Sequence, residues 1–188
     1  MNYKNVVLAG MLLFSAQVNA LEFKQVQAAQ SSITFGYKQM GVPMDGKFKQ
    51  FAAQLSFDQA KLANARASFN IDLASIDTGS SEADEEVAGK LWFNTKAFPS
   101  ANFVATGIKS LGGNRYEASG KLTIKGITQN VVAPVTFQQS GARGTFEGAF
   151  TIRRLDYKIG EGAWSDVGTV ANEVQIKFYV VVNAASSK

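Results

Sequence analysis

The sequence predicts an all-β protein: one antiparallel barrel of about eight strands with a single short helical insertion. Three observations carry that prediction. Apolar residues recur at every second position through most of the chain, Gly (17) far outnumbers Pro (3), and 14 Phe are set into the alternating rows. Such alternation marks half-buried antiparallel strands with one wet face. At 188 residues, 46% hydrophobic and 18% charged, the chain is too apolar to be disordered and of a length that suits one domain.

The rows run in order. Ile33, Phe35 and Tyr37 share the face of a first strand. Phe48, Ala53, Leu55 and Phe57 form a second, with a bulge or bend where Phe48 and Phe51 fall out of phase. Ala65, Ala67, Phe69, Ile71 and Leu73 alternate with Arg66, Ser68, Asn70 and Asp72. Phe103 and Ala105 follow, then Tyr116, Ala118, Gly120, Leu122 and Ile124, and then Val131, Ala133, Val135 and Phe137. Phe146, Gly148, Phe150 and Ile152 precede the last row, Val174, Ile176, Phe178, Val180 and Val182. Turns are expected at Met44-Asp45-Gly46, Leu111-Gly112-Gly113-Asn114 and Lys125-Gly126. Residues 80–93 break the period and read as a short helix, with Ser81 and Asp84 at capping-box spacing and the acidic cluster suited to a helix N-terminus.

Two absences narrow the chemistry. The chain has no His and no Cys, so the commonest general base, thiol nucleophiles, disulfides and thiolate metal sites are all missing. Ser and Tyr residues have no adjacent base to activate them, and helix capping accounts for Glu82, Asp84, Glu85 and Glu86 without acid–base chemistry. No enzyme, metal or cofactor is expected. Residues 1–20 read as a cleaved signal peptide: Lys4, an apolar run over 6–14, and Val18-Asn19-Ala20 before the cut, leaving 21–188 as the barrel domain. The run is shorter than the roughly 20 residues a spanning helix needs. Export to the periplasm or beyond follows. The formal charge of +4 is spread thinly, without a Lys/Arg run, and gives no support to nucleic-acid binding.

A barrel of about eight strands is either filled by its own side chains or holds one small ligand. The rows carry Phe but also Gly36, Ala53, Ala65, Ala67, Ala105, Ala118, Gly120, Ala133 and Gly148, and composition does not choose between a tapered core and a cavity. A cavity here would be greasy and would suit an acyl or polyprenyl chain.

Several motifs, in order, resemble the YceI-like family of bacterial exported lipid-binding proteins. They are Ser32-Ile33-Thr34-Phe35, Gly46-Lys47-Phe48-Lys49-Gln50-Phe51 and Ser75-Ile76-Asp77-Thr78-Gly79, then Leu91-Trp92-Phe93 leading to Phe98-Pro99. The most specific is Gly120-Lys121-Leu122-Thr123-Ile124-Lys125-Gly126-Ile127-Thr128, followed by Arg153-Arg154-Leu155-Asp156-Tyr157-Lys158-Ile159-Gly160. The resemblance implies a lipocalin-like barrel that holds a long amphiphile such as a polyisoprenoid or fatty amide. It also implies a periplasmic or secreted location and a homodimer. Many members carry His where Gln39-Met40-Gly41 stands and a basic dipeptide where Glu82-Ala83-Asp84-Glu85 stands, so head-group choice is expected to differ here.

Phe35, Tyr37, Phe48, Phe69, Phe103, Leu122, Ile124, Phe150 and Phe178 are candidates for the tunnel wall, though each also suits an ordinary core. Leu91, Trp92, Phe93 and Phe98 flank the helix and would extend the wall as a lid or pack on the barrel end. Met40, Arg154, Tyr157 and Trp164 are candidates for the mouth and head-group site. Alternation from Ile152 points Arg154 inward, where its fork would hold an anionic head group or pair with Asp156 or Asp166. The function expected is that of a non-catalytic carrier of a long-chain amphiphilic lipid, with transient membrane or membrane-protein contact. Holding an isoprenoid quinone for membrane redox chemistry, or a filled barrel acting through surface partners, are the alternatives.

Overall fold

The computed structural model describes residues 21–185; the proposed signal peptide lies outside them. Eleven strands form one antiparallel sheet: β1 (Phe23–Val26), β2 (Ser32–Gln39), β3 (Val42–Phe48), β4 (Phe51–Ser56), β5 (Arg66–Asp72), β6 (Ile76–Asp77), β7 (Ser100–Gly112), β8 (Arg115–Ile124), β9 (Ile127–Ser140), β10 (Arg143–Arg153) and β11 (Glu173–Ala184). The hydrogen-bonded order is β4-β5-β7-β8-β9-β10-β11-β2-β3-β6, with β1 added to β11. Among the described residues one short α-helix, α1 (Ser81–Ala88), lies between β6 and β7. The architecture is all-β and lipocalin-like, a curled half-barrel left open.

This corrects the expected closed barrel of about eight strands. β1 and β6 are too short, at four and two residues, to show a period. The stretch read as one bent strand over 48–57 is two strands with different neighbours: β3 pairs with β2, and β4 with β5. The corner between them is tied by Lys49 N–H to the Ser75 carbonyl and Asp72 N–H to the Gln50 carbonyl. Edge strands β4 and β6 end the sheet, and β1 joins the gap at one end only, through the Phe23–Phe57 bridge.

Met44-Asp45-Gly46 lies inside β3, and the turn falls at Met40 and Gly41, both at positive φ (48° and 79°). Gly46 serves packing: it faces Phe35 across the ladder, and a Cβ there would overlap the Phe35 ring. Rings cover Gly120 (Phe103), Gly144 (Phe137) and Gly148 (Phe178) in the same way, a device that fills the gap a strand glycine leaves. The turn at Lys125-Gly126 forms as expected, both residues at positive φ.

The cap of α1 is Ser80, whose Oγ accepts from Ala83 N–H at 3.4 Å, and not Ser81. Asp84 instead accepts from the Thr78 N–H and Oγ1, both at 2.7 Å, anchoring the turn into the helix. These bonds hold the Asp84 carboxyl below its ordinary value of 3.8.

The interior divides into two clusters. Phe23, Phe57, Tyr116, Phe137 and Phe146 pack edge to face and tilted at one end, with ring centroids 4.6–5.3 Å apart. Ile33, Ile71, Leu73, Trp92, Leu122, Ile124, Ile152 and Val170 belong to the cluster at the other.

Candidate functional site

The inward rows of the sheet enclose two apolar cavities, of about 420 Å³ and about 120 Å³. The larger falls within the 300–1,000 Å³ range of ligand pockets. β7, β8 and β10 each pass from one cavity to the other at a single level. On β8, Leu122 and Ile124 face the larger and Tyr116 and Ala118 the smaller, with Gly120 between; on β10, Ile152 faces the larger and Phe150 the smaller. β7 divides between Ala101 and Phe103. The inward face of β8 alone, residues 116–124, extends about 26 Å at roughly 3.3 Å per residue.

Polar side chains enter the larger cavity mainly from one quarter. Gln39 comes from the far end of β2, and Thr78, Ser80, Glu82 and Glu86 from α1 and the turn before it. Glu82 and Glu86 are one helical turn apart on the same face and are solvent-exposed. Tyr37 also lines this cavity, and burial pushes its phenol pKa up.

Against the segment that follows α1, the loop between β10 and β11 folds over the cavity around Arg154, which is 1% exposed. Its guanidinium donates five hydrogen bonds, all to backbone carbonyls: Nε to Ala171 (3.0 Å), Nη1 to Ile159 (2.8 Å) and Gly160 (3.2 Å), Nη2 to Trp164 (2.7 Å) and Val170 (2.7 Å). Every N–H of the fork is therefore engaged. The inward orientation is as alternation requires, but the expected roles are corrected: no donor is free for a head group, and its bonds run to carbonyls rather than to Asp156 or Asp166. Burial lowers its pKa, with the Asp166 charge opposing. By gathering these carbonyls, Arg154 positions Ile159, Trp164 and Val170 in the cavity wall. Its guanidinium also lies 5.5 Å from the centre of the Trp92 ring, which packs 5.4 Å from Trp164. Trp92 Nε1 and the Tyr157 hydroxyl are buried without a hydrogen-bond partner.

The expected wall residues separate by cavity. Phe35, Tyr37, Phe48, Trp92, Phe93, Leu122, Ile124 and Trp164 line the larger, and Phe69, Phe103, Phe150 and Phe178 the smaller. Four expectations fall outside both. Met40 is 73% exposed at the β2–β3 turn, because a hairpin tip at positive φ projects into solvent. Leu91 is exposed, and its carbonyl accepts from the Gly160 and Glu161 N–H groups. Phe98 packs on Gly126, and Tyr157 is buried in the core. Sequence reasoning missed Ile33, Ile71, Ile152, Val174 and Ile176, visible in the rows but passed over for Phe, and Ile159 and Val170, whose irregular loop carries no period.

The YceI-like domain model matches residues 25–182. A UPF0312 protein of Pseudomonas putida is 30% identical over 169 residues (85% of this chain, 88% of that protein), and one of Azotobacter vinelandii 27% identical over 179 residues (91% of each). Burkholderia cenocepacia BcnA has a similar structure: TM-score 0.81, 47% identity, 84% of this chain and 99% of that one. A polyisoprenoid binding domain from Saccharophagus degradans, implicated in plant cell wall breakdown, shares the fold at TM-score 0.67 and 16% identity, covering 89% of this chain and 100% of that one. The motifs, the curled sheet and the match over most of the chain agree: this protein belongs to the YceI-like domain family.

Proposed function

We propose that this protein is a non-catalytic carrier that sequesters one long-chain amphiphile, of polyisoprenoid or fatty-acyl type, with its chain in the larger cavity and its polar end toward Gln39, Thr78 and Glu82. The observation that carries the reading is the form of that cavity: about 420 Å³, apolar along the strands and polar beside α1. Burying a chain there gives about 0.8 kcal/mol per CH₂ before ordering costs, so tight binding needs few polar contacts. The fold shared with a polyisoprenoid binding domain supports it. The reading includes cleavage after Ala20, a periplasmic location and transient contact with the membrane that supplies the lipid.

Native mass spectrometry of the exported protein, followed by solvent extraction, tests it. The expected result is a stoichiometric lipid that is lost when Leu122→Trp fills the cavity of a folded protein. A redox-sensitive near-ultraviolet absorbance would identify the lipid as a quinone. An apo mass, unchanged after incubation with polyprenyl and fatty-acyl lipids, would overturn the proposal.

A further inference from the structure

We infer that the smaller cavity is a tail site for the same ligand, and that Ile33, Ile71 and Ile176 form a waist that sets which chain lengths are bound. The inference rests on the proposed function and deepens it by naming the class as chains longer than the larger cavity holds. These three isoleucines belong to the walls of both cavities, so they stand at the boundary. They come from β2, β5 and β11, and the ladder sets Ile176 beside Phe35, which faces the larger cavity, and beside Phe150, which faces the smaller. Across the barrel at this level lies Gly120, covered by the Phe103 ring. The waist is thus made of side chains alone and widens by rotamer changes, without breaking a strand.

Beyond it the smaller cavity, about 120 Å³, is walled almost entirely by apolar surface. Apolar walls of this kind accept apolar guests because they offer water few polar partners; Arg66, exposed at the start of β5, is the one charged residue in the lining. The end beyond is closed by the aromatic cluster of Phe57, Tyr116 and Phe146. A chain that enters beside α1 and passes the waist meets these rings next, and the protein measures length against them.

The experiment is a binding series with linear primary alcohols from decanol to eicosanol, by calorimetry on delipidated protein. In the wild type, affinity is expected to rise about fourfold per added methylene, and to go on rising past the length that fills the larger cavity. Ile176→Trp, blocking the waist, should flatten the rise for longer alcohols relative to the same variant's own decanol affinity. Ala118→Leu, filling the tail site from a strand away from the waist, should flatten it too, and a melting curve on each variant checks folding. A wild-type series that already flattens at mid length, or a folded variant that keeps the wild-type rise, would overturn the inference. Failure of every alcohol to bind the wild type would instead remove the proposed function beneath it.

Discussion

Replacing Arg154 by Met tests what the buried guanidinium does. Three of its hydrogen bonds, to the carbonyls of Ile159, Gly160 and Val170, are fully buried. Met matches the stem but leaves those acceptors unpaired, at about 1–3 kcal/mol each. Release of the desolvated cation offsets part of this, so the net loss expected is about 3–5 kcal/mol. For a chain of this size that is a fall in Tm of about 6–20 °C. Urea unfolding followed by circular dichroism gives the free energy directly, with Arg153→Met, at the exposed neighbouring position, as the control expected to stay within about 0.5 kcal/mol. If Arg154→Met also stayed within that margin, the structural role would be refuted and the head-group role would return. Because the same carbonyls hang Ile159, Trp164 and Val170 over the cavity, lipid retention should fall with stability.

Gly148→Ala would drive a methyl into the Pro134 carbonyl and the Phe178 ring, costing about 1–3 kcal/mol by overpacking, measured as a shifted urea midpoint. The Asp84 carboxyl is held below its ordinary value by its bonds to Thr78, so its stabilisation is present above the ordinary carboxylate value and lost as pH falls through the lower folded value. Asp84→Asn should therefore unfold earlier than the wild type at neutral pH, and the gap should shrink in strong acid; a pH-independent gap would contradict this. Burial first, and the Asp156 charge second, push the Tyr157 hydroxyl up to about 12. Its neutral form favours folding, so this stability is complete below pH 10 and lost as pH rises through about 12; an ultraviolet titration showing ordinary tyrosine behaviour at every Tyr would refute it.

The long strands were legible because period two is a local property: each residue of β8 reports its face without knowing its partner. The pairing was not legible. Nothing in residues 48–51 says that the chain leaves β2 for β5, so two strands read as one. Nor does an inward glycine announce a void. Gly120 and Gly148 suggested room and are roofed by Phe103 and Phe178, whereas the space lies beside Ala101, Ala118 and Ala133. Arg154 could be pointed inward by counting from Ile152, but its acceptors are carbonyls 5 to 17 residues away, and backbone carbonyls leave no mark in a sequence.

β1 gives the two ends of the molecule different mechanics. Phe23 is bonded in both directions to Phe57 while its strand lies along β11, so the base is riveted by main chain and edge-to-face rings. At the neck, the cover is loop, gathered by one guanidinium and by Lys125, which bonds the Lys158 carbonyl and the Glu161 carboxylate. Breathing therefore belongs to the neck: its amides should exchange with solvent before those of β10 and β11. The molecule is a flask with a fused bottom and a laced collar, whose rim can loosen while the vessel keeps its shape.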